Sequence, residues 1–430
     1  MTRVVDPAGE YSIPYYFAAP YLDGVYLAVN AVPDAYLVYD AHDCGYYKAE
    51  KIAGGHDLFS DLLRWDQAHR VVRTNVEMHD YVMGSEDKLS KKLRQVIERH
   101  EPGIVFIARS NPIVTCGHDA TAVLRDLGKK SKIPLVLIPD HNLEKDYVTG
   151  YLDALEGLTS KLTLRKGRAR QKSVVLTGYV FDRNEGDHRG NVQELKRLLG
   201  GIGAKVKTVL LDGDTFASQR KLERPELVID LAGGWKGAES LARSCSAECL
   251  STDLPVGIEG TARWIRLVGR ALGLEEPAEA FIEREVSGLA RTLEWILPRF
   301  FSGKSVMVFA DRLLLPPLGG FLEELGFLIT GCGCTTADLQ TEWPQVPAYL
   351  PQLEQHLAAA RGSGRLDLIV GNSIIRQASR RLAAPFVELG YPSNSRHAIH
   401  PAPFLGFSGV KVLVERLINA LIRQGVPGCG

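Results

Sequence analysis

SVVLTGYV, at residues 173–180, has the composition of a buried β-strand, because it is short, apolar and rich in β-branched residues. It is followed by an amphipathic helical pattern around VQELKRLLGGIG (192–203) and then by a second strand-like run, AKVKTVLLDGD (204–214). A strand, a helix and a second strand in this order favour two parallel strands with the helix packed on one face of the sheet. The stretch 173–214 therefore predicts an α/β fold.

The same succession of elements occurs on both sides of this stretch. GIVFIARS (103–110) and IPLVLIPD (133–140) lie before it, each followed by a polar turn and a helical pattern. The runs that lie after it are LVIDLAG (227–233), KSVMVFAD (304–311), FLITGCG (327–333), LDLIVGNS (366–373) and FVELGYP (386–392). We predict three doubly wound, parallel-sheet α/β domains over residues 1–170, 171–300 and 301–430.

Two segments set these boundaries. TLRKGRARQKS (163–173) has five basic residues in eleven and almost no apolar ones, which predicts a solvated connection. The segment 275–305 has the pattern of one long amphipathic helix that ends at Gly303 and bridges the second and third domains.

The composition excludes several classes of function. The chain has 51 Lys and Arg residues and 51 Asp and Glu residues, so its net charge is zero, which argues against nucleic acid and membrane surfaces as partners. No apolar run has the length of about 20 residues that a membrane-spanning helix needs. The first residues lack the apolar core of a signal peptide, so we expect a cytoplasmic protein. The sequence has no GxxxxGK[ST] motif, and we expect this chain to bind no nucleotide.

Cys44 and Cys116 are the two cysteines placed best for chemistry. Each follows a strand-like run, AYLVYD (35–40) or GIVFIARS, and open α/β sheets bind ligands at the carboxyl ends of their strands. Cys116 also precedes a predicted helix, whose N-terminus favours a thiolate. Spacing alone favours the other alternative, burial as small apolar side chains, which is the commonest fate of a single cysteine. Two cysteines are too few for a four-coordinate metal or a cluster, so a second chain would have to supply the other ligands.

The other cysteines carry weaker signals. Cys245 and Cys249 are four residues apart on a predicted helix, and we expect them on one half-buried face. Cys332 and Cys334 lie at the carboxyl end of a predicted strand, where they would either hold a soft metal or form a turn of small residues. Cys429 is in the C-terminal tail.

Four histidines lie near these positions. His42 and His118 flank the two cysteines, and His397 and His400 lie on a proline-rich loop after a strand. Surface or hydrogen-bonded histidines and groups that tune a bound ligand both fit this pattern.

Several segments, in this order, resemble the nitrogenase component-1 superfamily. They are YVMGSEDKLSKKL (81–93), PGIVFIARSNPIVTCGHDATAVL (102–124), LVIDLAGG (227–234), DLPVGIEGTARWIRLVG (253–269) and the long segment 366–421, with its Gly-Asn-Ser and Gly-Tyr-Pro steps. The superfamily includes nitrogenase subunits, the scaffold pair for their cofactor and subunits of the dark-operative protochlorophyllide reductase. The resemblance covers nearly the whole chain.

The resemblance implies three Rossmann-like domains around a central cleft. It also implies a [4Fe–4S] cluster shared between subunits and an ATP-hydrolysing P-loop iron protein as the electron donor. Cys44 matches the second cluster cysteine of the family and Cys116 matches the third. The first should lie within FAAPYLDGVY (17–26), where Ala18 or Ala19 stands instead.

Two further departures concern the nitrogenase cofactor. Ala232 and Leu405 stand at the positions that match the cofactor-ligating cysteine and histidine of the catalytic nitrogenase subunit. The chain therefore lacks both protein ligands of a nitrogenase-type cofactor, which argues against the N2-reducing subunit.

Two functions remain. In the first, the chain is the electron-relaying component of a nitrogenase-like reductase, with Cys44 and Cys116 as cluster ligands, in a homodimer or in a heterodimer or heterotetramer with a second component-1 chain. Its substrate, a small molecule or a tetrapyrrole, would bind in a cavity above the cluster, with His118, Asp119 or His397 as the proton donor. In the second, the chain is a non-catalytic scaffold or carrier for the assembly of an iron–sulfur metallocofactor.

Overall fold

Three parallel four-stranded sheets form the framework of the protein. A computed structural model describes residues 20–42, 45–141, 145–165, 167, 171–336, 354–355, 357–359 and 366–423. Within them, no helix is long and apolar enough to cross a membrane.

The first sheet contains β1 (Ala35–Asp40), β2 (Val71–Arg73), β3 (Ile104–Arg109) and β4 (Leu135–Leu137), in the spatial order β2-β1-β3-β4. Its helices are α1 (Tyr21–Asn30), α2 (Gly45–Lys51) with a π-helical turn (Ile52–His56), α3 (Asp80–Met83), α4 (Glu86–His100), α5 (Asn111–Thr115), α6 (Ala120–Gly128) and α7 (Tyr147–Thr159).

The second sheet contains β6 (Ser173–Thr177), β7 (Lys205–Val209), β9 (Leu227–Asp230) and β10 (Glu248–Ser251), in the order β10-β9-β6-β7. Two short strands, β5 (Thr163–Leu164) and β8 (Lys221–Leu222), pair beside it. The helices of this unit are α8 (Gly186–Gly201), α9 (Phe216–Gln219), α10 (Lys236–Cys245), α11 (Ile258–Ala271), α12 (Glu275–Leu293) and α13 (Ile296–Phe300).

The third sheet contains β11 (Ser305–Ala310), β12 (Leu328–Cys334), β13 (Leu368–Gly371) and β14 (Phe386–Glu388), in the order β12-β11-β13-β14. Its helices are α14 (Leu315–Glu324), α15 (Ser373–Ala378), a 3-10 turn (Arg380–Leu382) and α16 (Gly406–Arg423). The C-terminal helix α16 returns to the second unit, where it packs on α8, α11 and α12.

All three sheets have the same topology, because the first strand of each unit lies between the second and the third. Chain connections leave the first and third strands in opposite directions, which opens a crevice at their carboxyl ends. β1 and β3 flank this crevice in the first unit, and their final residues, Asp40 and Arg109, are paired in register. The predicted α/β fold of doubly wound parallel sheets is thereby confirmed.

One continuous apolar core runs through the three units. Close packing of α1 against α7 anchors it on one side, and two glycines make this approach possible. A Cβ at Gly24 would lie 1.7 Å from the Tyr147 carbonyl oxygen, and one at Gly150 would lie 1.9 Å from that of Tyr21. The contact holds Tyr147 at the centre of the molecule, where the three units meet.

Two sequence-based expectations were wrong. The segment 275–305 is two helices. Pro298 in α13 has no N–H, and in a continuous helix its ring would clash with the carbonyl of Glu294, the residue that follows the end of α12. Cys245 and Cys249 do not share a helix. Ser246 has a left-handed conformation (φ 55°) that ends α10, and Cys249 lies in β10.

The predicted basic connection, 163–173, begins with the strand β5 and ends with the first residue of β6. The domain boundaries at 170/171 and 300/301 remain a prediction.

Candidate functional site

The loop after β3 carries Cys116 at the carboxyl end of the first sheet. Cys116 follows the short helix α5, and its N–H donates to the Pro112 carbonyl oxygen at 3.1 Å. Gly117 then adopts a positive φ of 76°, which turns the chain away, and the Cys116 thiol is exposed. A cysteine at this place is open to a ligand or to another polypeptide.

Cys44 lies outside the described residues, but the two sides of its position are described. β1 ends at Asp40, next to β3, and the Ser110 N–H donates to the Asp40 carbonyl oxygen at 3.0 Å. The chain resumes at Gly45, the first residue of α2. The chain therefore leaves β1 before Cys44 and β3 before Cys116 at the same edge of the sheet, from two adjacent strands.

His118 connects the Cys116 loop to the interior. Its Nδ1 lies 2.8 Å from Ser85 Oγ, and its Nε2 lies 3.4 Å from the Tyr81 carbonyl oxygen. Ser85 Oγ donates in turn to Asp40 Oδ2 at 3.2 Å. Burial raises the pKa of Asp40, although hydrogen bonds from Thr74 and Ser85 oppose the shift. Because the His118 ring is buried within this chain of contacts, it orients the loop around Cys116.

Asp119 is the N-cap of α6, where its Oδ1 accepts from the Ala122 N–H at 3.1 Å. Its own N–H donates to Glu86 Oε1 at 3.0 Å. Arg109, at the end of β3, holds the same loop. Its Nη1 donates to the His118 carbonyl oxygen at 2.7 Å, and its side chain also pairs with Asp140. The loop is thus fixed just after Cys116, at His118 and Asp119.

His397 lies elsewhere, at the contact of the third unit with the second. Its Nδ1 is 2.7 Å from Oε1 of Glu185, a carboxylate with no exposed surface. Glu185 also accepts from the backbone N–H groups of Leu58 (3.1 Å) and Ala398 (2.8 Å). Of the three predicted proton donors, His118 and Asp119 adjoin Cys116 in the chain, whereas the ring of His397 pairs with Glu185.

Exposed apolar side chains surround the segment that contacts His118. Val82 and Met83, which follow Tyr81, are 85% and 81% exposed, and Met78 is 80% exposed. Trp65 in the same unit is 96% exposed. Met78, Val82 and Met83 lie within six residues of one another in the chain, so three large apolar side chains in this short segment are open to water.

A second polar centre lies where the three units meet, and the sequence analysis did not predict it. Asp182 Oδ1 forms an ion pair with His188 Nε2 at 2.8 Å, and His56 Nε2 lies 3.5 Å from the same oxygen. All three side chains are buried. One signal was present in the sequence, since DRNEGDH (182–188) is a run of polar residues close after the carboxyl end of β6.

The pKa values of Asp182 and His188 are both shifted at this centre. Burial alone would raise the pKa of Asp182, but the facing His188 and His56 outweigh it and hold that pKa well below its usual range. Burial lowers the pKa of His188, and the attraction of Asp182 more than reverses this, so the net shift is upward. The His56 ring also accepts the Ser393 N–H at Nδ1 (2.9 Å), which leaves the proton of a neutral ring on Nε2, facing Asp182.

The cavities at this junction are small. One, lined by Tyr147, Tyr179, Asp182, His188 and Asp311 among others, has a volume of about 40 Å³, and its neighbour beside His56 has about 10 Å³. Each holds a few water molecules at most. Leu405 is fully buried close by, and its N–H donates to Asn191 Oδ1 at 3.0 Å.

The four other cysteines that the structure describes, Cys245, Cys249, Cys332 and Cys334, are buried or half-buried. Cys332 and Cys334 are two residues apart on the edge strand β12, so both lie on one face of the sheet. Burial raises the pKa of both thiols. Burial likewise raises the pKa of Cys245 and of Cys249. Within the described part of the chain, no three or more His, Cys, Asp and Glu side chains are grouped closely enough to hold a metal ion.

The chain belongs to the family of nitrogenase component 1 type oxidoreductases, whose family model matches residues 22–422. This finding confirms the recognition made from the sequence motifs. It also makes the chain a member of a family of oxidoreductases.

Individual relatives agree with this assignment. The chain is 24% identical over 385 residues to a light-independent protochlorophyllide reductase subunit from Heliobacterium modesticaldum, a match that covers 86% of this chain and 72% of that protein. It is 25% identical over 393 residues to the nitrogenase molybdenum-iron protein beta chain of Frankia alni, covering 80% of this chain and 71% of that protein. The solved structure of nitrogenase Cp1 at pH 6.5 has the same fold, with a TM-score of 0.74, 16% identity and coverage of 99% of this chain and 96% of that chain.

Proposed function

We propose that this chain is the electron-relaying subunit of a nitrogenase-like reductase, in which Cys116 and Cys44 ligate a [4Fe–4S] cluster at an interface between subunits. A P-loop iron protein would deliver the electrons at the expense of ATP. When bound, such a cluster supplies one-electron transfer at a low potential. This chemistry requires a reducing compartment, in agreement with the expected cytoplasmic location.

The exposed thiol of Cys116 is the observation that carries this proposal. It lies at the carboxyl edge of the first sheet, beside the strand that precedes Cys44, on a loop held by His118 and Arg109. A ligand to a shared cluster must be firmly placed and accessible to a second chain, and the exposed Cys116 on its hydrogen-bonded loop supports the proposal on both counts.

The same residues indicate that a partner chain completes the site. The described residues contain no ligand set of their own for a metal, and the exposed apolar side chains at Met78, Val82 and Met83 are near the loop that holds Cys116. A symmetric homodimer would bring four cysteine thiolates together, two from each chain. In a heteromer the second component-1 chain would supply the other ligands.

The interior of this chain favours a relay over a scaffold. A tetrapyrrole or a metallocofactor needs a pocket of about 300 Å³ or more, whereas the central cavities have about 40 and 10 Å³. With Ala232 and Leu405 at the positions of the cofactor ligands, the chain offers little to hold a cofactor under assembly. We therefore place the substrate at a site to which the partner subunit contributes, and His118, Asp119 and His397 remain proposed proton donors.

Electron transfer from a reduced iron protein tests this function directly. The anaerobically purified complex is mixed with the reduced iron protein in a stopped-flow instrument, with or without MgATP. We expect ATP-dependent oxidation of the iron protein in the complex and its loss in the Cys116→Ala variant, while Cys245→Ser behaves as the wild type. A complex that binds iron but does not oxidise the iron protein would instead support the scaffold function.

A further inference from the structure

Arg416, on the C-terminal helix α16, is a half-buried arginine whose guanidinium has too few acceptors. Its Nη2 donates to the Ala402 carbonyl oxygen at 3.2 Å. Its Nε and Nη1 are shielded from solvent and have no hydrogen-bond acceptor among the described residues. Because charged N–H groups shielded from water without an acceptor destabilise a protein, these two nitrogens point to a missing anion.

The carboxylates around Arg416 are committed to other donors. Asp187 pairs with Arg183 and accepts the His188 N–H at 3.0 Å. Glu388 accepts from Ser373 Oγ at 3.0 Å, from Ser393 Oγ at 2.9 Å and from the Ser395 N–H at 2.9 Å. Asp187 and Glu415 attract the charge of Arg416, but no carboxylate among the described residues accepts a hydrogen bond from its guanidinium.

Arg416 faces an open cleft as well as the small cavity beside His56. The cleft has a volume of about 590 Å³ between β14, the loop that contains Ser395 and Arg396, and the helix α16. Three arginines, Arg376, Arg396 and Arg416, line it, against the two acidic residues Glu388 and Glu415. Its size suits a small organic molecule.

The electrostatics of the cleft favour an anion. Burial, assisted by the neighbouring Arg396, lowers the pKa of Arg416 to about 9. Burial also lowers the pKa of Arg396. A bound oxyanion would offset both effects, because a guanidinium forms strong charge-assisted hydrogen bonds to carboxylate and phosphate oxygens.

We propose that the cleft between α16 and β14 binds a small molecule through its carboxylate or phosphate group, with Arg416 as the principal donor and Arg396 as the second. The site contains none of the cysteines, so the proposal stands or fails independently of the cluster.

Calorimetric titration of the full chain with inorganic phosphate and, separately, with malonate tests this site. We expect at least one of the two to bind with a dissociation constant of about 1 mM or tighter. Arg416→Met should weaken that binding by about tenfold or more, since a charged hydrogen bond is lost. Binding of phosphate alone or of malonate alone would identify the group that is recognised.

The matched control is Arg263→Met, which removes an exposed arginine from α11. It should bind the anions as the wild type does. Without any anion, Arg416→Met should unfold at the same temperature as the wild type or at a higher one, because it removes charged N–H groups that are shielded from water and lack an acceptor. Failure of both anions to bind, unchanged binding by Arg416→Met, or a lower unfolding temperature of that variant would each overturn the proposal.

Discussion

The Cys116→Ala variant is expected to lose nearly all of its bound iron and the broad visible absorbance of an iron–sulfur cluster. The physical reason is that a cluster of this kind needs a thiolate at each iron, and alanine offers no ligand atom. Iron per chain, measured by colorimetric assay on anaerobically purified protein, and the paramagnetic resonance spectrum after reduction report the loss. The Cys44→Ala variant should behave in the same way.

Three cysteine variants serve as controls for this experiment. Cys245→Ser, Cys332→Ser and Cys334→Ser change thiols whose pKa is raised by burial, and their iron content should equal that of the wild type. If Cys116→Ala keeps the wild-type iron content, the assignment of this residue as a ligand is wrong. If Cys332→Ser or Cys334→Ser loses iron, the edge strand β12 contributes to a metal site.

The Asp182→Ala variant is expected to lower the free energy of unfolding by about 3–5 kcal/mol, the usual effect of removing one partner of a buried ion pair. Asp182 is the carboxylate that both His188 and His56 face at the junction of the three units. Its removal leaves His188 buried beside Arg183 without the anion that offsets its charge. Denaturant unfolding near pH 6 gives the measurement.

The pH dependence of this loss of unfolding free energy distinguishes the loss of an ion pair from the loss of side-chain packing. The pKa of Asp182 is depressed in the folded protein, so its contribution is present above the unfolded value of about 3.9 and is lost as the pH falls below it. The pKa of His188 is raised, so its contribution is complete below the unfolded value of about 6.5 and is lost as the pH rises through the raised value. The difference between wild type and variant should therefore be largest between these two values and should narrow at pH 9.

Two further variants sharpen the test. Asp182→Asn keeps the size and an acceptor oxygen but not the charge, and we expect a smaller deficit that varies less with pH. Asp126→Ala removes an exposed carboxylate from α6 and should change the stability by no more than about 0.5 kcal/mol. A deficit of Asp182→Ala that is equally large at pH 6 and pH 9 would contradict the ion-pair interpretation.

The sequence predicted the framework because the framework follows from local patterns. The apolar runs at β3, β6 and β11 are buried on both faces of their sheets, so their short length and β-branched composition located them. The placement of Cys116 at a carboxyl edge then followed from its position after β3. The break between α12 and α13 was also visible in principle, since Pro298 is a local signal.

Other features depend on tertiary packing. Ser246 ends α10 in a left-handed conformation that serine rarely adopts, and no neighbouring residue signals it. Asp182 faces both His188, six residues later, and His56, 126 residues earlier in the chain. This arrangement forms only where the first two units pack together. The orphaned nitrogens of Arg416 likewise become evident only when α16 is packed against its neighbours.

Size-exclusion chromatography with light scattering, under strict anaerobiosis, tests whether the iron is bound by more than one polypeptide. The iron content is measured across the elution peak. We predict that iron elutes with a dimer or a larger assembly. The Cys116→Ala variant should either form the assembly without its iron or lose both the iron and the assembly. A clean monomer that carries the full iron content of the wild type would contradict a cluster held between chains.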